Sequence, residues 1–443
     1  MRIIICGFGS AGYAASMAIR RDAPKTEILV IDPKPMDILH PCGLPYALEG
    51  IVDPDNLMQD LNLGRSGITR IQGRAEKIFT GERVVSLLSE SGSSREQYDK
   101  LIITTGSRPV IPGITGIERF MGKSIFTLAG LTDLLHIKER IKNTDRCVII
   151  GGGAIGIETA FAVKNSVREV TVIEMREQLL PGILDPDISD LIEEYLLSSG
   201  ISVIKGRSVK ETGGGIDSMK IDCGDIAIEA GIAILAAGFT PDISIAELSG
   251  LEVLPRGIKT DSYMRTSDEN IYAAGDCIAG WSTIDGRPVN SKLATSAYKQ
   301  GRIAGINAAG GNEEYHGSSC TFVTRIGALE AAGTGLTSAQ ALACGFEPVS
   351  GKITSKIRPE YYPENSDITV KVIFDRNSGI ILGAQSAGME GAASRINLIS
   401  MAVEFGITID ELCRVELAYC PAVSEVYDPL LRAADFGIRR LKR

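Results

Sequence analysis

Cys42 stands in the run His40-Pro41-Cys42-Gly43-Leu44-Pro45-Tyr46, ten residues after an apolar segment that ends in Asp32. A helical turn is predicted from Pro45 to Glu49, and a thiol just ahead of a helix is favoured as the thiolate, its nucleophilic and redox-active form. Two glycine-rich turns could hold phosphates. Gly7-Phe8-Gly9-Ser10-Ala11-Gly12 follows Ile3-Ile4-Ile5-Cys6, and Gly151-Gly152-Gly153-Ala154-Ile155-Gly156 follows Val148-Ile149-Ile150. In a G-x-G-x-x-G turn the first glycine permits the tight bend, the second lets backbone amides approach a pyrophosphate, and the third packs helix on strand. The helix that follows then presents its N-terminus to the phosphates.

The elements that must position these groups are legible around them. Each glycine turn leads into a helical stretch and then a second strand ending in an acid, Ile28-Leu29-Val30-Ile31-Asp32 and Val170-Thr171-Val172-Ile173-Glu174. Both copies read as βαβ units, a duplication on the scale of a domain. Each acid lies about twenty residues beyond its last glycine, the spacing of a carboxylate that accepts from ribose hydroxyls. A carboxylate there repels a 2′-phosphate, so the second site favours NADH over NADPH, a preference that Arg176 would soften. The segments Leu101 to Gly106, Ala233 to Gly238 and Asn270 to Asp276 repeat the strand-then-glycine pattern. A hairpin is expected over Val84 to Tyr98, with its polar turn from Ser89 to Arg95, and a helix from Ala294 to Ala309. The chain thus leaves a first domain, builds a second and returns. Beyond Ser319 strands are expected at Ile368 to Phe374 and Ile380 to Gln385, followed by a helix from Arg395 to Phe405. The basic run Arg439 to Arg443 reads as a solvated end.

Composition narrows the function classes. A chain of 443 residues is long enough for about three domains. Its net charge of −9 leaves no global basic field for nucleic acid or an anionic membrane. No apolar run approaches the ~20 residues of a membrane span, and the N-terminus lacks a cleavable signal pattern, so a cytoplasmic protein is expected. The 9 cysteines are scattered without a CxxC pair and only 3 histidines occur, so neither a metal site nor a disulfide framework is expected.

Thr104-Thr105-Gly106, Ala237-Gly238-Phe239-Thr240-Pro241 and Ile271-Tyr272-Ala273-Ala274-Gly275-Asp276, together with the glycine turns, resemble the fingerprints of flavoproteins with two dinucleotide-binding domains, over residues 1 to about 310. The resemblance implies an α/β fold: two Rossmann-like domains of the glutathione-reductase type plus a C-terminal α+β dimerisation domain. The boundaries would be 1–112 and 243–316 for FAD, 113–242 for the nicotinamide nucleotide and 317–443 for dimerisation. FAD would lie on Gly7, Gly9, Ser10, Ala11, Gly12, Asp32, Thr105, Gly106, Gly275 and Asp276. NADH or NADPH would lie on Gly151, Gly153, Ala154, Ile155, Gly156, Glu174 and Gly238, with Glu158 near the nicotinamide ring.

The Cys42 segment resembles the single-cysteine branch of the pyridine nucleotide-disulfide oxidoreductases, that of coenzyme A disulfide reductases and NADH oxidases. The dithiol branch needs C-x4-C, whereas residue 47 is Ala and the next cysteine is Cys147. Oxidised Cys42 would then be a mixed disulfide or a sulfenic acid. Ser10 stands where peroxidases and water-forming oxidases of the family carry a histidine, which disfavours peroxide chemistry. Tyr361, Tyr362 and Tyr419 look like the tyrosines that reach the partner subunit's active site, implying a homodimer. Arg20 and Arg21 match a pair at the mouth of the coenzyme A site. Cys420 departs from the family's pattern beside Tyr419 and is a candidate resolving thiol. The implied activity is NAD(P)H-dependent reduction of coenzyme A disulfide, a persulfide or polysulfide, or a related small disulfide. The alternatives are a peroxide-forming NADH oxidase and a flavin redox sensor without efficient turnover.

Overall fold

Ile3, Ile4 and Ile5 have no exposed surface, as expected of a central parallel strand covered on both faces. A computed structural model describes residues 1–441 and divides by contacts into two units. The first comprises Met1–Cys42, Asp53–Arg108 and Phe239–Ser318. Its sheet runs in the order Ile271–Ala273, Lys100–Ile103, Arg2–Cys6, Glu27–Asp32, Ile68–Phe79, Val84–Ser89, Gly92–Gln97. The first five strands are parallel and the last two antiparallel. Helix Ser10–Asp22 packs closely on helix Ala294–Ala308. The approach depends on small residues: a Cβ on Gly301 would stand 2.1 Å from the Ala11 carbonyl, and one on Gly305 2.4 Å from that of Ala15.

The second unit comprises Gly43–Val52, Pro109–Gly238 and Ser319–Arg443. It contains a parallel sheet ordered Ile125–Thr127, Ile232–Leu235, Arg146–Ile150, Glu169–Ile173, Ile201–Ile204. A separate antiparallel sheet is ordered Phe322–Ile326, Leu329–Gly335, Ile381–Gly388, Asp367–Asp375, Pro348–Lys356. Helix Ala392–Glu404 covers its Leu329–Gly335 and Ile381–Gly388 strands, and helix Pro429–Leu441 the other edge.

Several expected elements shift. Gly92–Gln97 is a strand paired with Val84–Ser89, and Ser89 faces Gly92, so the hairpin closes through Glu90 and Ser91 rather than through a long polar turn. Polar residues are tolerated there because this is an edge strand whose side chains stay largely in solvent. The helix after Cys42 begins at Leu44, with Pro45 in its first turn, where the missing amide hydrogen costs nothing. The helix expected from Arg395 to Phe405 runs from Ala392 to Glu404. Of the basic tail, Lys442 and Arg443 lie outside the described residues, and Arg440 donates to the Ser350 carbonyl at 3.1 Å.

Candidate cofactor cradles and redox cysteine

The two glycine turns are built alike. A Cβ on Gly7 would meet the Thr104 carbonyl oxygen at 2.3 Å, and one on Gly151 the Ala236 oxygen at 2.2 Å, with φ of +100° and +120°. A Cβ on Gly12 would meet the Gly7 oxygen at 2.3 Å, and one on Gly156 the Gly151 oxygen at 2.0 Å. The first and third glycines are therefore closed against protein. Gly9 and Gly153 have nothing within 4 Å of that position. The space beside each second glycine, at the N-terminus of helix Ser10–Asp22 or Ala154–Val163, fits a pyrophosphate that must approach backbone amides. Ser10, Ala11, Ala154 and Ile155 form the first turns of those helices.

The acids are held by their own cradles. Asp32, 2% exposed, accepts from the Phe8 amide at 2.6 Å and the Lys34 amide at 2.9 Å, and the Lys34 ammonium lies 2.7 Å from both its oxygens. Glu174, 6% exposed, accepts from the Gly152 amide at 2.7 Å and the Arg176 amide at 2.8 Å. Glu174 is fixed at the mouth of its turn with one acceptor site left on each oxygen for ribose hydroxyls, whereas Asp32 has two donors on each oxygen and would take a ribose hydroxyl in exchange for the Lys34 ammonium.

The remaining residues of the first cradle lie on turns of the same unit. The Thr105 hydroxyl donates to the Asp242 carbonyl at 2.7 Å, and Gly106 adopts φ +72°. Gly275 adopts φ +85°, and its amide donates to Gln300 Oε1 at 2.9 Å. Burial pushes the Asp276 carboxyl up, opposed by a hydrogen bond from Ser107 at 2.9 Å and by the charge of Lys292. Gln300 and Ser107 escaped the sequence reading. A glutamine on the small, buried face of helix Ala294–Ala308 was the available signal.

In the second unit Gly238, with φ +95°, accepts from the Val110 amide at 2.9 Å. Glu158 lies one turn beyond Ala154 on the same helix face. Burial raises its carboxyl, and the Thr324 hydroxyl, which donates to Oε1 at 2.5 Å, opposes the rise.

Cys42 is exposed within the 3-10 turn Pro41–Gly43. The other cysteines of its unit, Cys6 and Cys277, are buried, and burial pushes their thiols up to about 12 and about 11. Helix Leu44–Glu49, which follows Cys42 in the chain, packs against helices Leu131–Ile141 and Ala154–Val163, and Lys138 donates to its Ala47 carbonyl at 3.1 Å. The Tyr361 and Tyr419 hydroxyls are 3.2 Å apart, with the rings 73% and 44% exposed. The Arg358 guanidinium lies 5.9 Å from the Tyr362 ring centroid and also donates to the Ala422 carbonyl at 2.7 Å, tying the two tyrosine segments together. Cys420 is exposed beside Tyr419. Arg20 donates to the carbonyls of Pro24 at 2.5 Å and Gly67 at 2.7 Å, and Arg21 pairs with Asp22 at 2.6 Å. Service at a substrate's phosphates would require both arginines to exchange these partners.

Two glycine turns open beside their second glycine, each with a buried acid fixed at its mouth and on separate parallel sheets, fit the class of two-dinucleotide oxidoreductases. A family model described as pyridine nucleotide-disulphide oxidoreductase matches residues 1–301, and one for the dimerisation domain of that family matches residues 322–430. The chain belongs to the pyridine nucleotide-disulphide oxidoreductase family. It is an FAD-dependent enzyme that uses NADH or NADPH, and it carries the family's dimerisation domain. An NADH oxidase from Methanocaldococcus jannaschii is 31% identical, aligned over 100% of this chain and 99% of the relative. An NAD(P)H coenzyme A polysulfide/persulfide reductase from Pyrococcus horikoshii is 32% identical over 97% of each. The solved structure of an NAD-dependent persulfide reductase from A. fulgidus superposes with a TM-score of 0.95 at 32% identity, covering 100% of this chain and 84% of that one. Among the described residues no helix is long and apolar enough to cross a membrane.

Proposed function

We propose that this flavoprotein reduces a low-molecular-weight disulfide, persulfide or polysulfide, coenzyme A derivatives included, through Cys42 as its single redox sulfur. The observation that carries the reading is the contrast within the FAD-cradle unit: Cys42 is exposed, whereas Cys6 and Cys277 are buried. Bound FAD supplies the two-electron relay between nicotinamide and sulfur. The Cys42 thiolate attacks one sulfur of the incoming S–S bond, which breaks as a new bond to Cys42 forms, and the departing thiolate takes a proton. Two electrons from NADH then cleave the mixed disulfide, releasing the second thiol and restoring the thiolate. Per cycle, one NADH, one proton and one disulfide become NAD⁺ and two thiols.

Gly7, Gly9, Ser10, Ala11, Gly12, Asp32, Thr105, Gly106, Gly275 and Asp276 hold FAD. Gly151, Gly153, Ala154, Ile155, Gly156, Glu158, Glu174 and Gly238 hold the nicotinamide nucleotide, with NADH preferred because Glu174 leaves negative charge where a 2′-phosphate would lie. Tyr361, Tyr362 and Tyr419 donate to the leaving thiolate in a partner protomer's site, and Arg20 and Arg21 serve the substrate's phosphates. The domain boundaries expected from the sequence go with this assignment. A homodimer is supported by exposed Met401, Phe405, Val423 and Val426 in the dimerisation domain.

The test is NADH oxidation with coenzyme A disulfide, polysulfide and oxygen in parallel, in the wild type and Cys42→Ser. Sulfur-dependent turnover should fall at least a hundredfold in the variant, by roughly 3 kcal/mol of barrier. The name of the Methanocaldococcus relative, NADH oxidase, favours a second reading, NADH oxidation, which in this chain would be peroxide-forming. Turnover with oxygen alone, unchanged in Cys42→Ser, would select it.

A further inference from the structure

The dimerisation domain touches the second glycine-turn helix at two points. The turn between strands Phe322–Ile326 and Leu329–Gly335 carries Gly327, with φ +58°, where an added Cβ would lie 2.3 Å from the Phe161 ring. Phe161 stacks on Tyr195 at 6.2 Å between centroids, and the Tyr195 hydroxyl accepts from the Ala328 amide at 3.1 Å. This plug leaves little freedom in how the strand meets the helix. On the same strand Thr324, 2% exposed, points its hydroxyl at Glu158 Oε1, 2.5 Å away. No ion pair within 4.0 Å holds Glu158 among the described residues; the Thr324 hydroxyl is its side-chain hydrogen-bond donor. A carboxylate with one oxygen engaged by a rigid neutral donor keeps the other free to accept from a ligand. Glu158 shares its helix face with Ala154, at the mouth of the phosphate cradle.

We propose that Thr324 is a positioning residue for nicotinamide-nucleotide binding: it fixes the Glu158 carboxylate so that its second oxygen accepts from the amide group of the nicotinamide end. The dimerisation domain thereby forms part of the nucleotide site in the same chain. The inference rests on the assignment of Glu158 to the nicotinamide site made above.

The test is a double-mutant cycle on the FAD-loaded enzyme, with NAD⁺ and NADH dissociation constants from fluorescence titration and melting temperature as a control. Thr324→Val, of the same shape, should weaken NADH binding roughly tenfold, the scale of one hydrogen bond to a charged group. It should raise KM for NADH while leaving turnover at saturating NADH unchanged. Thr324→Ser should restore binding to within about twofold, because the hydroxyl is returned. Glu158→Ala should weaken binding and remove any further effect of Thr324→Val. If Glu158→Ala weakens binding but Thr324→Val adds the same loss in either background, Thr324 does not act through Glu158 and the proposal falls. If Glu158→Ala leaves both dissociation constants unchanged, the nicotinamide-site assignment of Glu158 is wrong and the proposal falls with it. Should Thr324→Val lower the melting temperature, the comparison of Thr324→Ser with Thr324→Ala decides by the same criteria.

Discussion

The Phe8 amide donates to the buried Asp32 carboxylate at 2.6 Å, bridging 24 residues of chain. The bond recurs in the second unit between the Gly152 amide and Glu174, 22 residues apart. The two copies differ in their cations: Lys34 pairs with Asp32 at 2.7 Å and Arg70 lies 3.8 Å from it, whereas no ion pair holds Glu174 among the described residues. On the proposed assignment of one acid to each cofactor, Asp32→Ala should yield protein depleted of flavin, read as the ratio of absorbance near 450 nm to protein. Glu174→Ala should keep full flavin content while NADH binding weakens roughly tenfold, the equivalent of about 1.4 kcal/mol. Loss of flavin in both variants would show that the cradles are not independent.

The glycines separate packing from binding. Gly151→Ala forces a side chain into a left-handed backbone and against the Ala236 carbonyl, and should cost more than about 1 kcal/mol of stability. Gly153→Ala meets nothing in the protein and should melt as the wild type does. Its methyl group would nevertheless occupy the phosphate approach, raising the NADH dissociation constant. Thermal melts and NADH titrations of the pair check both halves.

Thiol labelling should follow exposure and burial. The Cys6 and Cys147 thiols, pushed up to about 12 by burial, and that of Cys277, at about 11, hold only on the order of one part in a thousand to one in ten thousand as thiolate at pH 8. Cys42 and Cys420 are exposed. Brief iodoacetamide treatment of native protein, read by peptide mass spectrometry, should modify Cys42 and Cys420 and leave Cys6, Cys147 and Cys277 untouched until denaturant is added. Oxidation in the presence of substrate, run on non-reducing gels, tests Cys420 as a resolving thiol through a Cys42–Cys420 cross-link.

The Tyr361–Tyr419 hydroxyl pair shares one hydrogen bond, which raises the Tyr419 phenol to about 12. The phenol is therefore a donor throughout the range in which a thiol reductase works. Tyr361→Phe and Tyr419→Phe should each lower kcat/KM for the disulfide several-fold, and the double variant should fall further but by less than the product of the two losses, because each change removes a donor to the leaving thiolate and both remove the shared bond. The NADH half-reaction, followed by stopped-flow bleaching, should be unaffected.

An acid-sensitive contact ties strand and helix in the second unit. Asp187 lies 2.8 Å from both Lys352 and Lys371. Burial alone would raise its carboxyl, but hydrogen bonds from the two lysines prevail and hold it below the ordinary carboxylate range. A depressed native value stabilises the fold above the unfolded value near ~3.9 and loses that contribution as pH falls through the native one. Asp187→Asn should therefore cost about 1 kcal/mol at pH 7, given its partial exposure, and the difference from wild type should shrink below about pH 4. Urea midpoints at pH 7 and pH 3 measure it.

The two glycine turns and the acid bonded to each were legible because their signals are local. Gly7 to Gly12 with Asp32, and Gly151 to Gly156 with Glu174, are short strand, turn and helix patterns whose backbone demands show directly in residue type. Arg20 and Arg21 show the limit of such reading. Their place at a helix end was visible, but the carbonyls of Pro24 and Gly67 that engage Arg20 were not, because nothing in residue type marks which backbone oxygens will face a guanidinium.

From the chain alone came the repeated phosphate turns, the acid on each, the single cysteine without a C-x4-C partner and the aromatic segments near the end. These follow from φ preferences, side-chain periodicity and covalent spacing, which act over one or two turns of chain. Folding decided the pairing of Tyr361 with Tyr419, 58 residues apart, and of Thr324 with Glu158, 166 residues apart. Those contacts depend on which strand packs against which helix, and that is settled by burying apolar surface across the whole unit rather than by any local pattern.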